Sequence, residues 1–324
     1  MNIITRAFLT PKVHEMVHPS EETQRAIDSG QPITLIDLIP LVMRVPEDRI
    51  EQCVKSVVDT VRSHGAVPVF AVMKSGRICL EHSVKAALSI AVLSKVLIAS
   101  RAQLPFVIAE GGDAVPDASL LMVIAELAGI RCIATTSLDG VRRPHIHRRS
   151  ERHAEPLTSF ACELARTTVA VVCSGFCVFD DPGESLEVVE RFAVPVAGFR
   201  TSRLPLQCVR DSGLSLSNVS TTPRQCAEAM HYMWRLGLSG GMLFLNPIQA
   251  EYAVSPEDLM TWLTAVVPSA ADRGEQAGRQ RAVCQDKRWK DLMEKSDGRT
   301  VDAECELMRS NASLAAEIAV AFST

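Results

Sequence analysis

Short apolar runs alternate with longer amphipathic stretches along most of this chain, and that alternation restricts the fold more than anything else in it. Runs at 33–39, 66–73, 106–109, 131–135, 169–173, 194–199 and 242–245 are apolar almost throughout, as strands buried on both faces are. Between them, 47–62, 83–96, 117–128, 156–165, 185–191 and 223–236 carry a helical period, and 256–267 and 303–322 add two later helices. The order predicts a layered α/β domain. Local punctuation agrees. Pro116 and Asp117 suit a helix start and Gly129 its stop, while Thr222 with Pro223 opens another helix that Gly237 ends. The charged stretch 272–299, with Gly274, Gly278 and Gly298, reads as a loosely ended helix or a connection. Neither an internal repeat nor a clean boundary is visible. The expectation is one domain over 18–324 preceded by an N-terminal extension, 1–17.

A net charge of −4 argues against binding nucleic acid through overall charge. One local exception is Arg142, Arg143, Arg148, Arg149 and Arg152, interleaved with His145, His147 and His153. This stretch is predicted either as a contact for a polyanion such as RNA or as a solvated loop. His145 and His147, with Glu151 and His153, offer nitrogen and oxygen ligands for zinc or copper. With no cysteine close by, solvated histidines are the plainer reading. The ten cysteines form no CxxC pair and no zinc-ribbon spacing, so they read as reduced thiols in an intracellular protein. No apolar run reaches membrane-spanning length. The first twelve residues hold Arg6 and Lys12 and no acid, which leaves cytoplasmic and mitochondrial locations both open.

Several blocks carry more together than alone: 65–68 (GAVP), 104–109 (LPFVIA), 122–130 (MVIAELAGI), Ala134 and Thr135 with Gly140 and Val141, 171–175 (VVCSG), Val194 and Pro195 with Gly198, 237–241 (GLSGG), 246–248 (NPI), and Asn311 with 315–319 (AAEIA). Their order and spacing resemble the pseudouridine-5′-phosphate glycosidase family, also called indigoidine synthase A-like. The resemblance implies a single α/β/α layered domain with a central mixed sheet, assembled as a homotrimer. It also implies a lysine that opens the ribose as an imine, a glutamate that moves protons, and a manganese ion held near the phosphate by an aspartate. The products implied are uracil and ribose 5-phosphate, and some relatives form C-glycosides.

Carried over position by position, the family's imine-forming lysine falls on Cys177, its glutamate on Asp37, and an asparagine near the C-terminus on Glu304. A second lysine falls on Ile98 and the metal-binding aspartate on Phe160, with Glu163 three residues on. A histidine falls on Arg142, beside the retained Arg143, and a Thr–Thr pair becomes Pro116 and Asp117. Thr135 and Asn246 are retained. The candidate catalytic positions are therefore Asp37, Cys177 and Glu304, and the candidate substrate-binding residues Arg142, Arg143, Thr135 and Asn246, with no metal ligand. A thiol forms no imine. The expectation is a catalytically degenerate homologue, a structural or binding subunit of a larger assembly, needing no cofactor; manganese enters only if activity is retained. One rival is an active, divergent glycosidase or C-glycosynthase, whose Asp37, Cys177, Glu304 and Arg142 would converge on a polar cleft. The degenerate reading predicts instead an apolar plug of Leu38, Ile98 and Phe160. A second rival is a sugar-phosphate or nucleotide-binding module using Arg142 and Arg143.

Overall fold

The computed structural model describes residues 16–91, 97–142, 156–266 and 281–324. In chain order the elements are β1 (Val17–Pro19), α1 (Glu21–Asp28), β2 (Ile33–Ile36), α2 (Ile39–Arg44), α3 (Glu47–Ser63), β3 (Val67–Lys74), β4 (Arg77–Glu81), α4 (Val84–Ala91), β5 (Leu97–Ala99), α5 (Leu104–Ala109), β6 (Ala114–Pro116), α6 (Ala118–Ala128), β7 (Cys132–Ala134) and β8 (Val141–Arg142). They continue as α7 (Pro156–Leu164), β9 (Ala170–Cys173), β10 (Asp180–Asp181), α8 (Pro182–Arg191), β11 (Val196–Phe199), β12 (Val219–Ser220), α9 (Pro223–Arg235), β13 (Met242–Leu245), α10 (Pro256–Val266), α11 (Arg281–Lys295) and α12 (Arg299–Ser323).

The main sheet runs in the order β1-β4-β3-β2-β7-β9-β13-β11-β12, with β6 joining β3 to β5. From β3 to β12 along this order all neighbours are parallel, whereas β3 meets β4 and β6 antiparallel, so the sheet is mixed. Successive side chains of a strand point to opposite faces, and here each face has its own core. Leu35, Val69, Val171, Cys173, Leu243 and Leu245 meet α6, α7, α8 and α10 on one face. Ile36, Phe70, Val72, Val172 and Phe244 meet α3, α9 and most of α12 on the other. This is a three-layer α/β/α sandwich, and the continuous apolar strand runs follow from burial on both sides.

Two expectations need correcting. The run 106–109 is not a strand but the end of α5, with Pro105 in its first turn and Phe106 66% exposed. A four-residue apolar run does not by itself distinguish helix from strand. The strand expected over 33–39 stops at Ile36, because Pro40 sits in the first turn of α2. The sheet also takes in Val17, the last residue of the expected extension. No helix among the described residues is long and apolar enough to cross a membrane.

Candidate functional site at the carboxyl ends of the strands

Backbone hydrogen bonds carry the sheet one residue past four adjacent strands. Asp37 N–H donates to Ala134 O (2.9 Å), Thr135 N–H to Val172 O (3.1 Å), Ser174 N–H to Thr136 O (2.9 Å) and Asn246 N–H to Cys173 O (2.8 Å). The residues just beyond β2, β7, β9 and β13 are thereby fixed side by side. Ligand sites of open parallel sheets form at this edge. Helix α12 crosses it and lowers two polar side chains onto it, Glu304 and Asn311, 1% and 0% exposed.

Asn311 is the fastener. Its amide donates to Thr135 O (2.8 Å), and its Oδ1 accepts from the Asn246 amide (3.0 Å). Ser174 Oγ donates to Asn246 O (2.5 Å). Asn246 thus braces the α12–sheet junction in this structure. The neighbouring loop needs Gly175, whose φ is +81° and where a Cβ would lie 2.0 Å from Pro205 O.

Arg44, the last residue of α2, fills the centre of the edge. Its Nη1 donates to Glu304 Oε1 (2.7 Å), Thr136 Oγ1 (3.1 Å) and Ser137 Oγ (3.1 Å), and its guanidinium lies 4.6 Å from the Trp289 ring centroid. Glu304 also accepts from Thr136 Oγ1 (2.6 Å) and from the Gln207 amide (2.7 Å). Gln207 holds a positive φ of 45° to reach it and accepts from Val178 N–H. Burial opposes the Arg44 charge, but Glu304, Cys177 and Asp139 outweigh it, and the guanidinium is held above its ordinary range.

Asp37 is 3% exposed. Its Oδ1 accepts from Ile39 N–H (3.0 Å) and its Oδ2 from Thr135 Oγ1 (2.9 Å). Burial nevertheless dominates and raises its pKa to about 7, against the pull of those two donors and of Arg44. Cys177 is 3% exposed, and burial, with Asp180 and Asp139 close by, pushes its thiol far above the usual range. Native Cys177 is therefore expected to resist iodoacetamide at pH 8 until denaturant is added. Peptide mass spectrometry checks this, and alkylation at the rate of an unfolded thiol would contradict the burial.

Glu304 thus pairs directly with one cation whose charge also reaches Asp37 and Cys177, and Thr135 holds Asp37. The cation is Arg44, which the sequence reading did not single out. The Arg142 backbone pairs with Asp180 in the β8–β10 ladder, while Arg143, Arg148, Arg149, Arg152, His145, His147 and His153 lie outside the described residues. The expected apolar plug is not what forms: Leu38 belongs to one core and Phe160 to the other, and Ile98 lies in β5 beside Val115. Closure is polar, made by Arg44 and Glu304. Asp117 caps α6, accepting from Leu120 N–H (2.9 Å) and Ser119 Oγ (2.6 Å).

A divalent cation does not fit the residues at its expected place. Phe160 is buried and apolar, and Glu163 is bound by both oxygens to Arg101 at 2.7 and 2.8 Å. Among the described residues no three His, Cys, Asp or Glu side chains converge on a point.

Comparison with known proteins agrees with the fold. The family described as "Indigoidine synthase A like protein" matches residues 22–321. The pseudouridine-5′-phosphate glycosidase of Hahella chejuensis is 30% identical over 310 residues, covering 94% of this chain and 97% of its own. That of Petrotoga mobilis is 31% identical over 302 residues, covering 93% and 95%. Among solved structures, an indigoidine synthase A-like protein of Thermotoga maritima superposes with a TM-score of 0.80 at 22% identity. The prealnumycin C-glycosynthase AlnA, solved with ribulose 5-phosphate, superposes with a TM-score of 0.82 at 22% identity; each covers 95% of this chain and 97% of its own. With a family match over nearly its whole length and relatives at this identity, the chain belongs to the pseudouridine-5′-phosphate glycosidase, or indigoidine synthase A-like, family.

Proposed function

We propose that this chain keeps the family fold without cleaving pseudouridine 5′-phosphate through an imine, and that it serves as a binding or structural subunit. The observation that carries the reading is the buried Arg44–Glu304 pair, which fills the carboxyl edge beside Cys177. A thiol at the position the resemblance gives to the lysine supplies no amine for an imine, and burial keeps it protonated. In this reading the chain works as a homotrimer or within a larger assembly, where the basic stretch from Arg142 to Arg152 meets a polyanion.

The relatives favour a second reading, an active glycosidase or C-glycosynthase. Both relatives named above are pseudouridine-5′-phosphate glycosidases matched over nearly their whole length, and Asp37 has a feature of a working acid–base group. A carboxyl whose pKa lies near 7 both gives and takes protons at neutral pH. In this reading Asp37 moves the proton, and Arg44 swings off Glu304 to meet the phosphate.

Uracil release from pseudouridine 5′-phosphate with manganese, run beside the Hahella chejuensis enzyme, separates the two. No release is expected while the control turns over. Turnover that Asp37→Asn abolishes would replace the first reading with the second. A rise in melting temperature with ribose 5-phosphate, without turnover, would point to a sugar-phosphate-binding module.

A further inference from the structure

Helices α3 and α12 run side by side, and two contacts fix their register. Arg49 pairs with Asp302 at 2.7 Å near the start of both, and His64 Nε2 meets Ser313 Oγ at 2.8 Å further along. Between these anchors, Cys53 lies one turn past Arg49 and Cys305 three residues past Asp302. Both thiols therefore fall on the facing sides of the two helices. They pack in the same core, and each thiol is the strongest electrostatic neighbour of the other.

The two thiols are not equivalent. Cys53 is 7% exposed, whereas Cys305 is only partly buried. The Arg49 and Asp302 side chains beside them are 43% and 54% exposed, so this end of the seam opens to solvent. The facing Cys53 thiol and the nearby Arg49 charge hold Cys305 below the usual thiol range, and the same pairing raises Cys53. The site at the strand ends uses neither residue.

We propose that Cys53 and Cys305 are a reversible dithiol pair, which a small disulfide of the glutathione class closes into a cross-helix bridge. The Cys305 thiolate attacks one sulfur of glutathione disulfide, forming a mixed disulfide and releasing one glutathione thiolate. That thiolate takes the Cys53 proton. Cys53 then attacks the Cys305 sulfur and releases the second glutathione, which takes the proton Cys305 gave up. Two electrons pass from the pair to glutathione disulfide, giving one protein disulfide and two glutathione thiols. Thiols that face each other across two packed helices need only a modest approach to reach bonding distance. The inference does not depend on what the family site does.

The test equilibrates the native full-length chain with glutathione disulfide, blocks free thiols with an alkylating agent, and maps the digest by mass spectrometry. The expected result is one linked peptide pair holding Cys53 and Cys305, two hydrogens lighter than the separate peptides and reopened by dithiothreitol. Cys53→Ser is expected to keep glutathione on Cys305. Cys305→Ser is expected to leave Cys53 unmodified, and Arg49→Gln to slow bridging about threefold or more at neutral pH. Two freely alkylated thiols after equilibration would overturn the proposal. So would a bridge from either cysteine to a different partner, or glutathione on Cys53 in the Cys305→Ser variant.

Discussion

Arg44→Ala is expected to lower unfolding stability by about 3–5 kcal/mol, the usual loss when one partner of a buried ion pair is removed. Glu304 has a side chain 2% exposed and would lose its only close cation among the described residues. Thr136 at 2.6 Å and Gln207 at 2.7 Å would still donate to it, which places the loss toward the lower end of that range. Trp289 would lose the guanidinium packed on its ring. The measurement is the urea midpoint at pH 8, converted with an unchanged denaturant slope. Adding Glu304→Gln to Arg44→Ala removes the stranded charge and should recover roughly 1–3 kcal/mol. Recovery will be incomplete, because the new amide keeps a single acceptor oxygen: with that oxygen on the Gln207 amide, its NH2 meets Thr136 Oγ1, whose hydroxyl must turn to accept it. A loss under about 1 kcal/mol in the single variant would mean that water or a moving side chain already serves Glu304. The pair would then be a weak latch over the strand ends and not a plug, which is what the active reading requires.

The layers were legible in the sequence because parallel strands buried on both faces write themselves as unbroken apolar runs, and those at 66–73, 169–173 and 242–245 coincide closely with β3, β9 and β13. Strand β4 went unread although its signal was present. Lys74-Ser75-Gly76-Arg77 turns through positive φ at Ser75 (49°) and Gly76 (72°), a two-residue hairpin between β3 and an alternating run. Asp37, Thr135, Asn246 and Glu304 were found through resemblance and do meet at the carboxyl edge. Arg44 was not found. In sequence it is a basic residue in the last turn of a short helix, an ordinary place for one. Its meaning comes from Glu304, 260 positions away, and no local pattern records such a pairing. Gln207 was missed for the same reason: it is buried, held at positive φ, and named only by the residues it bridges.

Asp37→Asn should make the protein more stable at pH 8 and leave it little changed near pH 4. The sign follows from proton linkage. The folded carboxyl holds its proton up to about 7, because burial outweighs the Thr135 and Ile39 hydrogen bonds, whereas its reference value is 3.8. Between those values the native state binds the extra proton, so stability falls as pH rises from about 4 to 7 and levels off above. At 1.36 kcal/mol per unit the full loss is about 4 kcal/mol. Asparagine has the same shape and no charge to bury. Its oxygen can keep the Ile39 N–H bond, and its amide can donate to Thr135 once that hydroxyl turns. Allowing for imperfect geometry, a gain of about 2–4 kcal/mol at pH 8 is expected, read from urea midpoints of parent and variant across the pH range. A parent–variant difference that stays the same from pH 4 to pH 8 would sink the argument, because only a titrating Asp37 makes it pH-dependent. The result also bears on function. A carboxylate that costs stability at neutral pH is kept most readily where a proton must move. If the variant is more stable and the parent shows no turnover, Asp37 is a remnant the fold tolerates. If the parent turns over and the more stable variant does not, Asp37 trades stability for proton transfer, and the active reading stands.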